Sequence, residues 1–287
     1  MRRTRTVEVA HGAAARFGEG PTWDEANNSL LWVDINRQQV HRFRPDEGHD
    51  EVVLRLPEPV AVAKPRARGG LVLSLRDGVA VSGRERPDEL RWLTRWAEQG
   101  VRGNDAGVDP AGQLWVGTIA GESHPGWLAR ITPEGQRYPA ASDLRLSNGI
   151  AWAPDGRTMY HVDTRTKRID VFDYDVAAGH AHSRRTLAPV TDTDGVPDGL
   201  CTDADGGIWV ALFRGGAVRR YTPSGRLDRE IALPTPLTTA CAFGGSGLTD
   251  LYVTSASGTD DATEPQGGHL FVIHGVAQGV PPVPFVG

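Results

Sequence analysis

A short apolar strand with a bulky side chain returns six times along this chain, at Trp32, Val72, Trp115, Tyr160, Trp209 and Tyr252. The spacing is roughly 40 to 49 residues, the length of either a helical solenoid repeat or a propeller blade. Local pattern separates the two. The segments are short and rich in Val, Ile, Leu, Trp and Tyr, and Gly-containing turns such as Asp155-Gly156 and Asp205-Gly206-Gly207 stand at hairpin positions. Capped stretches with a 3.6-residue apolar period are missing, and 35 Gly with 20 Pro fit a turn-rich chain better than a helical one.

A third strand shows in several repeats as an alternating run, at Gln39–Phe43, Trp127–Ile131, Arg168–Phe172 and Ala217–Tyr221. Six four-stranded antiparallel sheets around a central channel close such a repeat, because radial repetition leaves few strand edges exposed. The expectation is an all-β, six-bladed β-propeller forming one domain over residues 1–287, with a short basic tail at 1–5. A pair of β-sandwiches is the competing arrangement. Ring closure requires the strand around His269–Ile273 to share a blade with Thr6–Val9, which makes the termini neighbours.

Three oxygen-bearing residues occupy the same place before the first strand of three repeats: Glu19 in Glu19-Gly20-Pro21, Asn148 in Asn148-Gly149-Ile150 and Asp198 in Asp198-Gly199-Leu200. Singly, each reads as a turn, a cap or a solvated loop residue. In a radial arrangement the three meet at one axis, where two carboxylates and an amide oxygen form a hard donor set. Such a set suits one divalent cation, Ca²⁺, Mg²⁺ or Mn²⁺, without excluding Zn²⁺. A fourth repeat puts Asn104 or Asp105 at the same place, to complete the shell or to meet a substrate. Beside it Arg102 offers a planar fork of donors for carbonyl, hydroxyl or carboxylate oxygens. The polar run Gly117–Gly126 is long enough to cover the channel mouth, with Glu122 as an acceptor for hydroxyls and His124 as a weaker candidate.

Composition removes several function classes. A formal charge of −5 and a pI near 6.0 leave no electrostatic footprint for nucleic acid. No apolar run reaches the ~20 residues of a membrane helix and no secretory core opens the chain, so a cytoplasmic protein is expected. Cys201 and Cys241 are too few for a disulfide framework or a zinc ribbon, and buried packing is expected of both. Neither a Gly-x-Ser-x-Gly elbow nor a phosphate-binding Gly-rich loop is present. Neither monomer nor dimer is favoured.

Several segments together resemble the senescence marker protein, gluconolactonase and luciferin-regenerating enzyme family. They are Gly18–Trp23, Arg102–Asp105, Val108–Gly112, Leu146–Gly149, Val171–Asp175, Pro197–Leu200 and Thr238–Gly245, and the likeness runs from about Arg16 to about Gly275. The resemblance implies a six-bladed propeller that binds one divalent cation and hydrolyses sugar lactones such as gluconolactone or a pentonolactone. It makes Glu19, Asn148 and Asp198 the metal ligands, Asp198 also the acid/base, and Arg102, Asn104 and Glu122 the substrate-binding residues. One departure stands out: Ala106-Gly107 replaces the family's usual Gly-Lys after Asn-Asp, so any role of that lysine is absent. A propeller esterase or organophosphate hydrolase, and a non-catalytic calcium-binding propeller, are the alternative readings.

Overall fold

The structure, a computed structural model, describes residues 6–84, 89–191, 195–258 and 266–287. Among them, helix is confined to four single 3-10 turns, and 24 strands form six four-stranded antiparallel sheets. The basic tail at residues 1–5 lies outside the described residues.

Each blade is a simple meander. Blade 1 runs Gly18–Asp24, Ser29–Asp34, Gln39–Arg44 and His49–Arg55, and blade 2 runs Val60–Pro65, Leu71–Leu75, Gly78–Ser82 and Leu90–Arg95. Blade 3 comprises Arg102–Val108, Leu114–Ile119, Gly126–Ile131 and Arg137–Leu144; blade 4 comprises Ser147–Trp152, Thr158–Asp163, Arg168–Asp175 and His180–Pro189. Blade 5 comprises Val196–Thr202, Ile208–Phe213, Ala217–Tyr221 and Leu227–Ala232. Blade 6 takes Thr238–Gly244, Asp250–Ser255 and Leu270–Ile273 from the end of the chain, and its fourth strand is Val7–His11. Val7 pairs with Ile273 and Val9 with Phe271, which is the expected ring closure. The first strand of each blade touches those of both neighbours, so six first strands line one channel.

The apolar core is divided among the blade interfaces. Tyr160, Val162 and Ile169 of blade 4 pack on Leu200, Ile208 and Val210 of blade 5, and equivalent clusters fill the other five interfaces. The six repeat-marking residues are all buried in these clusters. Buried aspartates support the pattern. Asp109 accepts the backbone N–H groups of Ala111 and Gln113 and the indole N–H of Trp115, all within 3.0 Å. Asp203 does the same for Asp205, Gly207 and Trp209. Each therefore ties a turn to a core tryptophan, satisfying groups that would otherwise be stranded in the interior.

One feature of the first strands positions everything in the channel. In all six, the register against the second strand slips by one residue: between Glu19 and Thr22, Val60 and Val62, Gly103 and Ala106, Ser147 and Ile150, Pro197 and Leu200, and Thr238 and Ala240. A bulge leaves a residue out of the ladder and re-aims its side chain. The slips take in Ala61, Asn104, Asn148, Asp198 and Thr239, and in blade 1 the slip begins directly after Glu19, which still pairs with Val33. Gly149 and Gly199 follow two of these because nothing larger fits: a Cβ at Gly199 would lie 2.4 Å from the Cβ of Ala240, and one at Gly149 2.8 Å from the carbonyl oxygen of Asp198.

The C-terminal segment, which the repeat pattern left unassigned, runs beneath the channel. Phe285 is fully buried, its N–H donates to the Pro65 carbonyl, and its carbonyl accepts from Ala67. The Val286 N–H donates to Gly112 of blade 3, and Gly279 bridges to Asp203 of blade 5.

Candidate functional site

The starts of the first strands open on one cavity of about 250 Å³. Glu19, Asn148, Asp198, Asn104 and Arg102 all line it, so residues up to 179 positions apart in the chain meet there. Two aspartates on second strands fix two of the approaches. Asp34 accepts the backbone N–H groups of Arg16 and Phe17 at 2.9 and 3.2 Å, just ahead of Glu19. Asp163 accepts those of Arg145 and Leu146, both at 3.1 Å, just ahead of Asn148.

Hydrogen bonds then set the polar side chains. The Asn148 amide donates to Thr164 Oγ1 at 2.7 Å, and Thr164 donates to the carbonyl of Pro197 at 2.9 Å, linking the Asn148 bulge to the strand that carries Asp198. Asn104 Nδ2 donates to Asn148 Oδ1 at 2.8 Å and to the Ser147 carbonyl at 2.7 Å. Of the two candidates in the fourth repeat, Asn104 thus joins the cavity and lies in the Asn148 network. Asp105 does not line the cavity. Beneath Asn148, Ser147 Oγ and His161 Nε2 are 2.7 Å apart. Both residues are wholly buried, so this Ser–His pair is a strut with no access to substrate. Burial pushes the His161 imidazole down to about 3, which keeps it neutral.

The carboxylates are under electrostatic stress. Burial, and then the charge of Asp105, raises Glu19 to about 8, against the opposing pull of the Gly20 N–H at 2.8 Å and of Lys64. Asp198 is pushed well above the usual carboxylate range by burial, with Glu19 and Asp105 adding to the shift. Asp105 is also raised by burial, partly offset by Lys64, whose ammonium donates to Thr22 Oγ1 at 2.8 Å. Asp198 Oδ1 has no hydrogen-bond partner although it is buried. An unpaired anionic oxygen in the interior costs several kcal/mol unless a proton or a cation satisfies it.

These observations fit a hard cation. Among the described residues no group of three or more His, Cys, Asp or Glu has metal-holding geometry, since the trio contributes only two carboxylates. Its third member, Asn148, supplies an amide oxygen. Oxygen donors of this kind suit Ca²⁺, Mg²⁺ or Mn²⁺.

The remaining expected residues are placed as follows. Arg102 stands at the mouth, exposed and without an ion-pair partner among the described residues, whereas Arg76 on the neighbouring blade is held by Asp77 at 2.9 Å. Glu122 and His124 are exposed and do not line the cavity; the Gly121 N–H donates to the His124 carbonyl, closing the loop on itself. Cys241 is buried as expected, but Cys201 is half-buried, and their sulfurs are 3.7 Å apart across blades 5 and 6.

Sequence reasoning missed the collar above the trio. Ahead of each bulge, a residue at the start of the first strand or just before it meets one at the end of the second strand or just after it: Phe17 and Ile35, Pro59 and Arg76, Arg102 and Ile119, Leu146 and Thr164, Val196 and Phe213, Leu237 and Ala256. Nine of these twelve are apolar, and the two arginines are grouped on blades 2 and 3. The repeat register was the available signal, since every collar residue lies two positions before a bulge or pairs with one that does.

A six-bladed propeller whose channel gathers two buried carboxyl groups and an amide oxygen defines the class. Residues 17–257 match the SMP-30/Gluconolactonase/LRE-like region family, and the chain belongs to that family. It is 35% identical over 307 residues to regucalcin of Gallus gallus, covering 98% of each chain. Two solved structures are similar. A calcium-binding protein, regucalcin, from Agrobacterium tumefaciens superposes with a TM-score of 0.91 at 27% identity, over 98% of this chain and 97% of that one. A gluconolactonase from Xanthomonas campestris superposes with a TM-score of 0.77 at 25% identity, over 94% and 91%. No helix among the described residues is long and apolar enough to cross a membrane.

Proposed function

We propose that this protein hydrolyses a lactone, with sugar lactones such as gluconolactone or a pentonolactone as the first class to test, and that one divalent cation serves the site. The observation that carries the reading is the meeting of Glu19, Asn148 and Asp198 in one cavity, with Asp198 Oδ1 unsatisfied and Arg102 free at the mouth. The family's description names gluconolactonase, and one structural relative is described as a gluconolactonase. A calcium-binding relative supports the cation.

Glu19, Asn148 and Asp198 would hold the cation, which when bound supplies Lewis acidity to the lactone carbonyl and acidifies water. Asp198 takes the proton of the attacking water. Water adds to the carbonyl carbon, the ring C–O bond breaks, and the ring oxygen leaves as a hydroxyl with the proton handed on by Asp198, giving the hydroxy acid. Arg102 donates to the carbonyl oxygen and then to the product carboxylate. With both amide hydrogens of Asn104 given to Asn148 and Ser147, its amide oxygen remains to accept a substrate hydroxyl.

The test is acid release from several aldonolactones, corrected for spontaneous opening, with chelator-treated protein reloaded by Ca²⁺, Mg²⁺, Mn²⁺ or Zn²⁺ in turn. Opening that vanishes with chelator and returns with one or more cations is expected. Rates equal to buffer with every cation would end the reading.

A further inference from the structure

We infer that the same site also opens lactones whose ring carries an alkyl or aryl substituent, with the substituent seated on the apolar side of the collar. The inference rests on the hydrolytic reading above but not on its sugar substrates.

The lining of the mouth carries the argument. Phe17, Ile35, Pro59, Ile119, Leu146 and Phe213 all face the cavity and are only partly buried, although each would lose contact with water in the core of this fold. Phe17 and Phe213 belong to different blades and stack with centroids 5.8 Å apart, so together they make one continuous aromatic wall. A polyhydroxylated ring laid on that wall would lose hydration from hydroxyls that find no partner there, which is unfavourable. An alkyl chain or a phenyl ring instead gains by leaving water. Polarity in the cavity is concentrated at the trio, at Asn104, at Thr164 and at the two arginines, and Asn36, beside Ile35, is the one further polar side chain of the lining. That division matches a molecule with one polar end, the lactone ester, and one apolar end. Arg102 and Arg76 lie on blades 3 and 2, whereas Phe17 and Phe213 lie on blades 1 and 5. A substrate held by its ester near Asp198 and Arg102 therefore directs its substituent toward the phenylalanines. The reaction is the one already written: water adds at the carbonyl carbon and the ring oxygen departs as an alcohol, with no further reactant.

The experiment is a series of γ-alkyl butyrolactones from methyl to pentyl, assayed with the cation-loaded protein and compared with gluconolactone. For the wild-type protein kcat/KM should climb about threefold to fourfold per methylene, the factor expected for burying each group. In Phe213→Gln, which replaces the apolar ring face with an amide, that climb should flatten to less than about 1.5-fold per methylene. A flat or falling series in the wild-type protein overturns the inference, as does opening of gluconolactone with no opening of any alkyl lactone. If no lactone of either kind is opened, the hydrolytic reading fails separately. The seat is then judged by binding of the matching γ-alkyl lactams, followed by saturation-transfer NMR: tightening with chain length that Phe213→Gln abolishes supports it, and its absence sinks it.

Discussion

Asp198 is the residue on which the chemistry and the strain of this protein coincide. Its Oδ1 is buried without a partner, and its carboxyl is held above the ordinary range by burial and by Glu19 and Asp105. Asp198→Asn keeps the shape and removes both the charge and the base. The expected result is a loss of lactone opening of about 10²-fold or more, the scale of a general base, with circular dichroism unchanged. The metal-free variant should melt no lower than the metal-free parent, because an uncompensated buried charge has been removed. Glu19 gives a pH prediction of defined sign. Its folded value of about 8 lies above its ordinary 4.5, so its contribution to stability is complete below 4.5 and is lost as pH rises through about 8. Melting temperature in chelator should therefore fall across that window. A saturating divalent cation should reverse the trend, since it binds the ionised carboxylates; a pH-independent melting curve in chelator would contradict the account.

The first strand, with its bulge, is the element that turns a repeat into a site. Glycine appears in it where a neighbouring blade leaves no room: a Cβ at Gly103 would stand 2.2 Å from the Leu75 carbonyl oxygen, a backbone atom that cannot swing aside. Gly103→Ala should destabilise by about 1–3 kcal/mol, the usual range for overpacking, and should weaken the positioning of Asn104 next to it. Denaturant midpoints and kcat/KM measured together would check both effects. Blade 4 contributes a second element-level prediction. His161, neutral and depressed to about 3 from an ordinary 6.5, supports stability that is complete above 6.5 and is lost as pH falls toward 3. His161→Gln should flatten the acid limb of the stability curve in that interval. The trio was legible from the chain because each member interrupts a repeat at the same place, and Arg102 because it stands beside the equivalent residue of another repeat. Glu122 shows the limit of that signal: its loop reads as long and polar, but sequence does not say which way a ten-residue loop turns, and here the residue is exposed.

Across the whole molecule, closure is achieved twice, by different devices. Val7–His11 completes blade 6, and the segment from Gly279 to Val286 ties blades 2, 3 and 5 together beneath the channel. Phe285 is the anchor of the second device. Phe285→Ala should cost about 3–5 kcal/mol, as for a fully buried aromatic, and thermal unfolding should report it without loss of the repeat's secondary structure. The sequence by itself determined the number of blades, their strand order, the pairing of the two termini in one blade, and the three oxygen donors at the axis. All of these follow from periodicity, because a side chain repeated at one register must occupy equivalent places once the ring closes. Tertiary structure alone decided the bulge that aims each donor, the Thr164 link from Asn148 to the Asp198 strand, the approach of Cys201 to Cys241, the exposed Glu122 and the apolar collar. Each of those depends on distances between blades, and residues remote in the chain acquire a distance only when the ring packs.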